Sequence, residues 1–280
     1  MAGFFGLFNY EKAGPGVSKN EKEKRGVVRF FEIYFRNFWN LTVISFFYDL
    51  LSIPVLTHGL SRIGITNVTR NISREKHTFG VSDFFDTVKK NWKSGLLFGI
   101  INIVLAFLLF FDLWFFWPRG EESGTFDIIL TGVTFFLIIS FVIMQYYIPM
   151  LIITFSLKLK DVYKNAFKFV FINFKRNIVI TLGLLLFLAI VGFILYFGSY
   201  IGLAISMLIM VFVYPSFSSY LIQYNIFDCI RKYMIDPYYA EHPDADIEKR
   251  LALGLPVPEE YMPSCDTLFD DETPSQNAEK

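Results

Sequence analysis

Long runs of apolar residues, separated by short polar stretches, dominate the pattern of this chain. Residues 94–117 contain one charged residue, Asp112, and residues 128–157 contain none. Each run exceeds the roughly 20 apolar residues with which an α-helix crosses a bilayer. Backbone groups cannot stay unpaired in lipid, so such runs must be helical. Two further apolar runs, 178–197 and 201–227, extend the pattern, which predicts an all-α membrane protein.

Short amphipathic stretches precede three of the apolar runs and share one spacing. Aromatic or aliphatic residues stand at i, i+3 and i+7 and an asparagine at i+6, positions that fall on one helix face. We expect each stretch to form a helix lying at the membrane interface. The three copies are Phe31-Tyr34-Asn37-Phe38, Phe85-Val88-Asn91-Trp92 and Phe167-Val170-Asn173-Phe174.

The repeat predicts a topology, because each copy is followed by room for one crossing out and one crossing back. The result is a six-helix transmembrane bundle built of three helical hairpins. Its amphipathic helices all lie at one face of the membrane. The first hairpin would consist of residues 38–56 and 57–76, with Pro54 near its tip.

Basic residues divide unevenly between the two predicted faces. The segments 1–37, 70–93, 158–176 and 231–232 contain 21 basic residues, whereas Arg119 is the one base in the predicted outer connections. By the positive-inside rule both termini are predicted to be cytoplasmic. If residues 57–76 lie on the surface instead, the chain has five spans and the N-terminus faces outward.

Composition supports the membrane assignment and separates the ends of the chain. Of 280 residues, 54% are hydrophobic and 19% aromatic, and this bias is typical of proteins in contact with lipid. We expect a polar N-terminal segment at 1–26, a helical membrane domain at 27–235, and an acidic, largely disordered tail at 236–280. The tail contains 12 acidic and 3 basic residues, a bias typical of disorder.

Polar residues inside the predicted spans are candidates for a functional site, because charged groups in a membrane are costly. Asp49 and Arg62 are each six or seven residues from the predicted hairpin tip, so they are predicted to lie at matching depth and to pair. A polar path would add Thr66 and Gln145 to this pair.

Recognised catalytic and ligand-binding motifs are missing from the sequence. It has no glycine-rich phosphate loop, H-E-x-x-H, C-x-x-C or G-x-S-x-G. His58, His77 and His242 lack the spacing of metal ligands. We therefore predict a protein that is not an enzyme, with no catalytic, cofactor or metal residues. We also expect the lipid bilayer to be its partner and nucleic acid not to be.

A set of residues between positions 27 and 235 stands out beside the apolar runs: Asn40, Pro54, Thr57, Gly59, Asn91 and Trp92. In these residues the chain resembles the YesL-like family, a bacterial family of multi-pass membrane proteins of unassigned molecular function. The resemblance implies a place in the bacterial cell membrane and, because family genes tend to lie near sugar-uptake transporters, an accessory or regulatory role in carbohydrate uptake. A sugar-uptake transporter complex would then be a partner. The alternative is a small stand-alone transporter or channel for a polar solute.

Overall fold

The computed structural model describes residues 26–117 and 124–242, and the regular elements within these ranges are helical. The chain divides into two compact units, Met1–Ala106 with Ile190–Tyr220 and Phe107–Ala189 with Leu221–Lys280. The α-helices are α1 Val27–Arg36, α2 Phe38–Ser52, α3 His58–Ser73, α4 Val81–Lys90, α5 Trp92–Phe116, α6 Thr125–Thr154, α7 Leu159–Ile172, α8 Phe174–Phe197, α9 Ser199–Phe212, α10 Tyr214–Ile230 and α11 Asp236–Glu241.

The sequence repeat corresponds to a structural repeat, which confirms it. In each copy an amphipathic helix ends one residue before the asparagine, and the next helix starts one residue after it. The asparagines have nearly the same backbone angles: φ/ψ of −105°/13° at Asn37, −113°/22° at Asn91 and −107°/30° at Asn173. Each asparagine carbonyl accepts the first backbone bond of the following helix, at 2.8–3.0 Å. One residue therefore ends one helix and starts the next.

Helix α3 forms the core of the first unit, where it packs against α1, α2 and α4. Ten of its 16 residues are buried, although the helix is not strongly apolar. The buried Thr69 hydroxyl is hydrogen-bonded: Thr69 Oγ1 lies 2.7 Å from Ser219 Oγ of α10 and also donates to the Ile65 carbonyl. Hydrogen bonds thus offset the cost of burying polar groups in this core.

Glycines permit α3 and α5 to approach closely. A Cβ atom added to Gly59 would lie 2.2 Å from the carbonyl oxygen of Gly95 and 2.6 Å from the backbone nitrogen of Gly99. Gly95 and Gly99 are spaced as in the small-xxx-small pattern with which membrane helices pack backbone to backbone. Only glycine fits at position 59 without moving one of the two helices.

The core of the second unit is the C-terminal third of α6 packed against α7. Tyr147, Ile148 and Met150 of α6 are fully buried, and the Tyr147 ring stacks on Phe169 of α7 at a centroid distance of 5.2 Å. Pro149 lies within this buried stretch of α6. The aromatic stacking fixes how α7 lies along the end of α6.

Within residues 26–117 and 124–242, three helices, α5, α6 and α8, are long and apolar enough to cross a membrane. A fourth span results if the helices on either side of Val213 count as one. These two helices are bent by 48°. Pro215 lies two residues after Val213, and its backbone nitrogen has no hydrogen to donate to the helix. Many apolar side chains of α5, α6 and α8 are exposed, as expected for residues that face lipid.

The first predicted hairpin is present as α2 and α3, but its helices have only 15 and 16 residues. At 1.5 Å per residue, 15 residues extend about 22 Å, less than the roughly 30 Å of a bilayer core. Neither helix is among the candidate spans of the described residues. The six-span and five-span topologies therefore both stay predictions.

The chain remains helical beyond the predicted boundary at residue 235. A π-helical turn, Arg231–Ile235, continues α10 into α11, which ends at Glu241. Pro237 did not stop the helix because it lies in the first turn of α11, where no backbone donor is needed. The predicted N-terminal segment up to residue 25 and the tail from residue 243 lie outside the described residues.

Candidate functional site

The turn between α2 and α3 is built by two residues of the family-like motif. Pro54 has an extended backbone, and its carbonyl accepts hydrogen bonds from the Thr57 backbone nitrogen and hydroxyl, both at 2.8 Å. The Thr57 hydroxyl also bonds to the Leu51 carbonyl at the end of α2. Proline and threonine together therefore close the hairpin.

A polar cluster lies on the facing sides of this hairpin. The Arg62 guanidinium of α3 donates a hydrogen bond to the Tyr48 hydroxyl of α2. The His58 ring, one turn before Arg62, lies edge-on to the Tyr48 ring at 5.9 Å. Nearer the turn, the hydroxyls of Ser52 and Ser61 are 2.6 Å apart. We call Tyr48, Asp49, His58 and Arg62 the hairpin cluster.

The direct pair predicted between Asp49 and Arg62 is not formed. Arg62 binds Tyr48 instead, and Asp49 Oδ2 is shielded from solvent without a hydrogen-bond partner. Tyr48 adjoins Asp49, so the residue that Arg62 binds lies at nearly the same distance from the turn as the predicted partner. The direction was wrong, because consecutive residues of an α-helix point roughly 100° apart around its axis. The number of residues between a side chain and the turn gives its level along the helix axis, but not the direction in which it points around that axis.

The other two residues of the predicted polar path differ in their placement. Thr66 is buried in α3, one turn after Arg62 and therefore on the same face of the helix. Gln145 lies in α6, which belongs to the second unit. The structure thus brings Asp49, Arg62 and Thr66 into one hairpin, and it places Gln145 in a separate unit.

The remaining motif residues serve capping and packing. The Asn40 side chain touches Gly80, whose φ of +55° and lack of a Cβ make room for it. Asn91 joins α4 to α5, and its side-chain amide donates to the Thr87 carbonyl at 3.0 Å. Trp92 is half exposed, with the Lys93 ammonium 5.6 Å from its ring. Asn40 and Asn91 thus contribute to a close backbone contact and to a helix junction.

A polar network between α3 and α4 was not predicted from the sequence. Asn67 is its centre: its amide nitrogen donates to the Thr87 hydroxyl at 2.7 Å, and its amide oxygen accepts from the Arg70 guanidinium at 2.7 Å. Arg70 also donates to the Asn71 side-chain oxygen. The spacing of Asn67, Arg70 and Asn71 along one helix was the available signal, but the partner on α4 is visible only in the fold.

An ion-pair cluster joins the end of α3 to α1. Glu75 accepts hydrogen bonds from Arg29 at 2.9 and 3.0 Å and from Arg36 at 2.9 Å. Hydrogen bonds from Arg36 and Arg29 hold the pKa of the Glu75 carboxyl below its ordinary value. No sequence pattern predicts this contact, because Glu75 is 46 residues from Arg29 and lies just outside the helix.

The second unit contains a buried hydrogen-bond network around Tyr147. Its hydroxyl donates to Asn177 Oδ1 at 2.6 Å and accepts from the Asn173 amide at 2.9 Å. The Asn177 amide donates to the Phe169 and Val170 carbonyls at the end of α7. Gln223 of α10 is also buried in this unit, and its Oε1 atom has no hydrogen-bond partner. This network fixes the junction between α7 and α8.

Groups of three or more histidine, cysteine, aspartate or glutamate side chains able to hold a metal ion are not found among residues 26–117 and 124–242. The arrangement described above is rich in hydrogen bonds and arginine. It can bind anions or orient polar groups.

These features define the class of the protein: its exposed apolar helices fit an integral membrane protein. Residues 40–113 match the family model described as a protein of unknown function, DUF624. This match is consistent with the resemblance to the YesL-like family and covers the hairpin, α4 and most of α5. Comparisons with curated proteins and with solved structures find no match. Family and fold thus fit a membrane protein of unassigned activity.

Proposed function

We propose that this protein is a non-catalytic accessory or regulatory component of carbohydrate uptake in a bacterial cell membrane. The family match over residues 40–113 carries the proposal, because the similar YesL-like proteins tend to be encoded beside sugar-uptake transporters. The motif residues serve turns, caps and close helix packing. A role as a structural partner of a transporter needs no reactive groups and fits these uses.

We further propose that both termini lie in the cytoplasm and that the chain forms three hairpins. The structural repeat supports this arrangement, since three amphipathic helices each lead directly into an apolar element. The excess of basic residues in segments 1–37, 70–93 and 158–176 supports the cytoplasmic placement. The first hairpin either ends inside the membrane or crosses it completely. In both cases its two ends, and therefore both termini of the chain, lie on the cytoplasmic side.

Crosslinking in native membranes tests the accessory role. The tagged protein is crosslinked in cells grown on different sugars, purified, and its partners are identified by mass spectrometry. We expect the membrane subunits of a sugar-uptake transporter, and we expect deletion of the gene to change uptake of that sugar. An unrelated tagged membrane protein of equal abundance is the control. Unchanged sugar uptake in the deletion strain, with no transporter recovered, would overturn the proposal.

A stand-alone transporter or channel is the second candidate, and the hairpin cluster favours it. The cluster combines an arginine–tyrosine bond with a carboxylate oxygen that has no hydrogen-bond partner. Polar groups of this kind within membrane helices are typical of solute paths. Solute flux into liposomes containing this protein alone would support the second candidate, provided that Arg62→Gln abolishes it and the surface variant Lys89→Gln does not. Absence of flux for both ions and sugars would exclude it.

A further inference from the structure

Helix α7 has one buried side and one exposed side of distinct chemistry. The buried residues of the helix are Val162, Ala166, Phe169 and Val170. Five exposed residues lie on the opposite side, within an arc of about 100° when successive residues are placed 100° apart. We call these five residues the α7 outer face: Lys160, Lys164, Phe167, Lys168 and Phe171.

Positive charge and aromatic rings alternate on the α7 outer face. Its lysines are spaced four residues apart, so they are neighbours along the helix. The Phe167 and Phe171 rings are 5.3 Å apart and half exposed. Within residues 26–117 and 124–242, no ion pair joins the three lysines to a carboxylate, Asp161 of the same helix included. A segment that offers carboxylates together with apolar side chains would complement this face.

Helix α7 runs back along α6. Phe169 stacks on Tyr147, and the Phe171 ring lies 6.5 Å from the ring of Phe136, which precedes the end of α6 by 18 residues. Lys160 precedes Phe171 by 11 residues, or about 16 Å along the helix axis. The lysines are therefore spread along the direction of α6. A helix that binds a headgroup layer lies flat in it, so this direction favours a protein segment over lipid as the occupant.

A segment of the same chain has the complementary composition. Residues 259–272, which lie outside the described residues, contain six acidic residues and no basic one. Leu268 and Phe269 stand between Asp266 and Asp270, so apolar and acidic side chains adjoin in the sequence. Residues 243–280 together contain ten acidic and three basic residues, a net charge of −7. We call residues 259–272 the acidic segment.

The acidic segment is within reach of α7. Arg176, four residues past the end of α7, donates to the Asn225 carbonyl of α10 at 2.9 Å, and its Nη1 atom lies 3.5 Å from Asp228 Oδ2. The helical path from Asp228 to His242 covers at most about 21 Å. The 16 residues between His242 and the acidic segment can extend up to about 55 Å. This length is sufficient for the acidic segment to return to α7.

We propose that the acidic segment binds along the α7 outer face of its own chain. Its three aspartates pair with the three lysines, and Leu268 and Phe269 pack beside Phe167 and Phe171. Single exposed ion pairs are weak, but a tethered segment has a millimolar effective concentration at its site. The bound segment covers α7 and excludes other proteins that present acidic and apolar residues. The proposal does not depend on the role in carbohydrate uptake.

Disulfide formation with the native Cys265 of the acidic segment tests the contact in the full chain. A second cysteine is introduced as Asp161→Cys at the edge of the α7 outer face or, as the control, as Ser82→Cys at an exposed position of α4. Cys229→Ala removes the remaining thiol in both. Each protein is treated with a mild oxidant in phosphatidylcholine nanodiscs. The rate of the intramolecular link, followed by mass spectrometry, is divided by the reactivity of each introduced cysteine toward an uncharged thiol reagent. We expect the link to Asp161→Cys to form roughly 10-fold faster than the link to Ser82→Cys.

Charge reversal shows whether the lysines are the partners. In the Asp161→Cys protein, Lys164→Glu/Lys168→Glu should slow the link roughly 5- to 10-fold. Adding Asp270→Lys/Asp271→Lys should restore most of the rate, because the charges of both sides are then exchanged. If the lysine variant fails to fold, Asp270→Lys/Asp271→Lys alone, which leaves α7 unchanged, should slow the link by a similar factor.

Four results would overturn the proposal. Equal rates for the two introduced cysteines would show that the acidic segment does not prefer α7. Failure of the exchanged charges to restore the rate would show that these lysines are not its partners. A link formed between two chains would assign the α7 outer face to the acidic segment of a second copy. Loss of the link when phosphatidylglycerol is added to the nanodiscs would assign this face to anionic headgroups.

Discussion

Glu75 and Arg29 join α3 to α1, and the contact depends on an unusual backbone conformation. Two nitrogens of Arg29 donate to Oε1 of Glu75, at 3.0 and 2.9 Å. Glu75 lies two residues past the end of α3 with a φ of +54°, a value that favours glycine. The Glu75 and Lys76 backbone nitrogens donate to the Ile72 and Asn71 carbonyls, which is the hydrogen-bond pattern of a Schellman motif. Glutamate at this position aims its carboxylate at α1.

Two substitutions of Glu75 should distinguish the energetic contribution of its ion pairs from the cost of its positive φ. Glu75→Ala loses the bonds to both arginines and keeps the positive φ, whereas Glu75→Gly loses the same bonds but adopts this φ freely. We expect the glycine variant to be more stable than the alanine variant by about 1 kcal/mol. Unfolding in mixed detergent micelles measures the difference. A glycine variant no more stable than the alanine variant would show that position 75 is not strained.

The contribution of Glu75 should disappear in acid. Its pKa in the folded protein is below the ordinary value of 4.5, so between the two values the unfolded state binds more protons than the folded one. The stabilisation is therefore complete above about pH 4.5 and is lost as the pH falls through the folded pKa. We expect Glu75→Gln to cost about 1 kcal/mol at pH 7 and progressively less as the pH falls below 4.5.

Gly59→Ala should be strongly destabilising. The added methyl group would overlap backbone atoms of Gly95 and Gly99, which cannot move independently of α5. We expect a loss of about 3 kcal/mol or more in the free energy of unfolding. Gly192→Ala in α8 is the matched control: nothing lies within 4 Å of its added Cβ, so the better helix propensity of alanine should stabilise by about 0.5 kcal/mol. Similar effects of the two substitutions would contradict the close helix packing.

Ser45 should stabilise the start of α10. Its hydroxyl accepts a hydrogen bond from the Ser216 backbone nitrogen at 3.1 Å, a first-turn donor that has no acceptor within its own helix. Ser45→Ala would leave this buried nitrogen unpaired, at an expected cost of about 1–2 kcal/mol. Ser218→Ala provides the comparison, since the Ser218 hydroxyl donates to the Pro215 carbonyl of its own helix. A Ser45→Ala protein as stable as Ser218→Ala would rule out the capping role.

Thiol labelling should show how far the first hairpin reaches. Single cysteines are placed at Leu56 in the hairpin turn and at position 122 between α5 and α6, with Cys229 and Cys265 replaced. Because 15 residues of α2 extend only about 22 Å, we expect an impermeant reagent added outside the cell to label position 122 and not position 56. Labelling of both positions would instead support six complete spans.

The sequence repeat shows what could be predicted without a structure. Three copies of one spacing, each with an asparagine as its third residue, were enough to locate Asn37, Asn91 and Asn173, and each asparagine joins two helices. Local signals suffice here because a helix junction depends on a few neighbouring residues. The same holds for the long apolar runs, whose length alone makes them candidate spans.

The sequence by itself determined the helical class, the candidate spans and the order of amphipathic and apolar elements, since these follow from periodicity and hydrophobic length. The tertiary structure decided which polar groups meet. It paired Arg62 with Tyr48 where the sequence suggested Asp49, and it brought Glu75 to Arg29 across 46 residues. The physical reason is the direction of side chains around a helix axis: neighbouring positions differ by roughly 100°, so a contact depends on how two helices pack against each other.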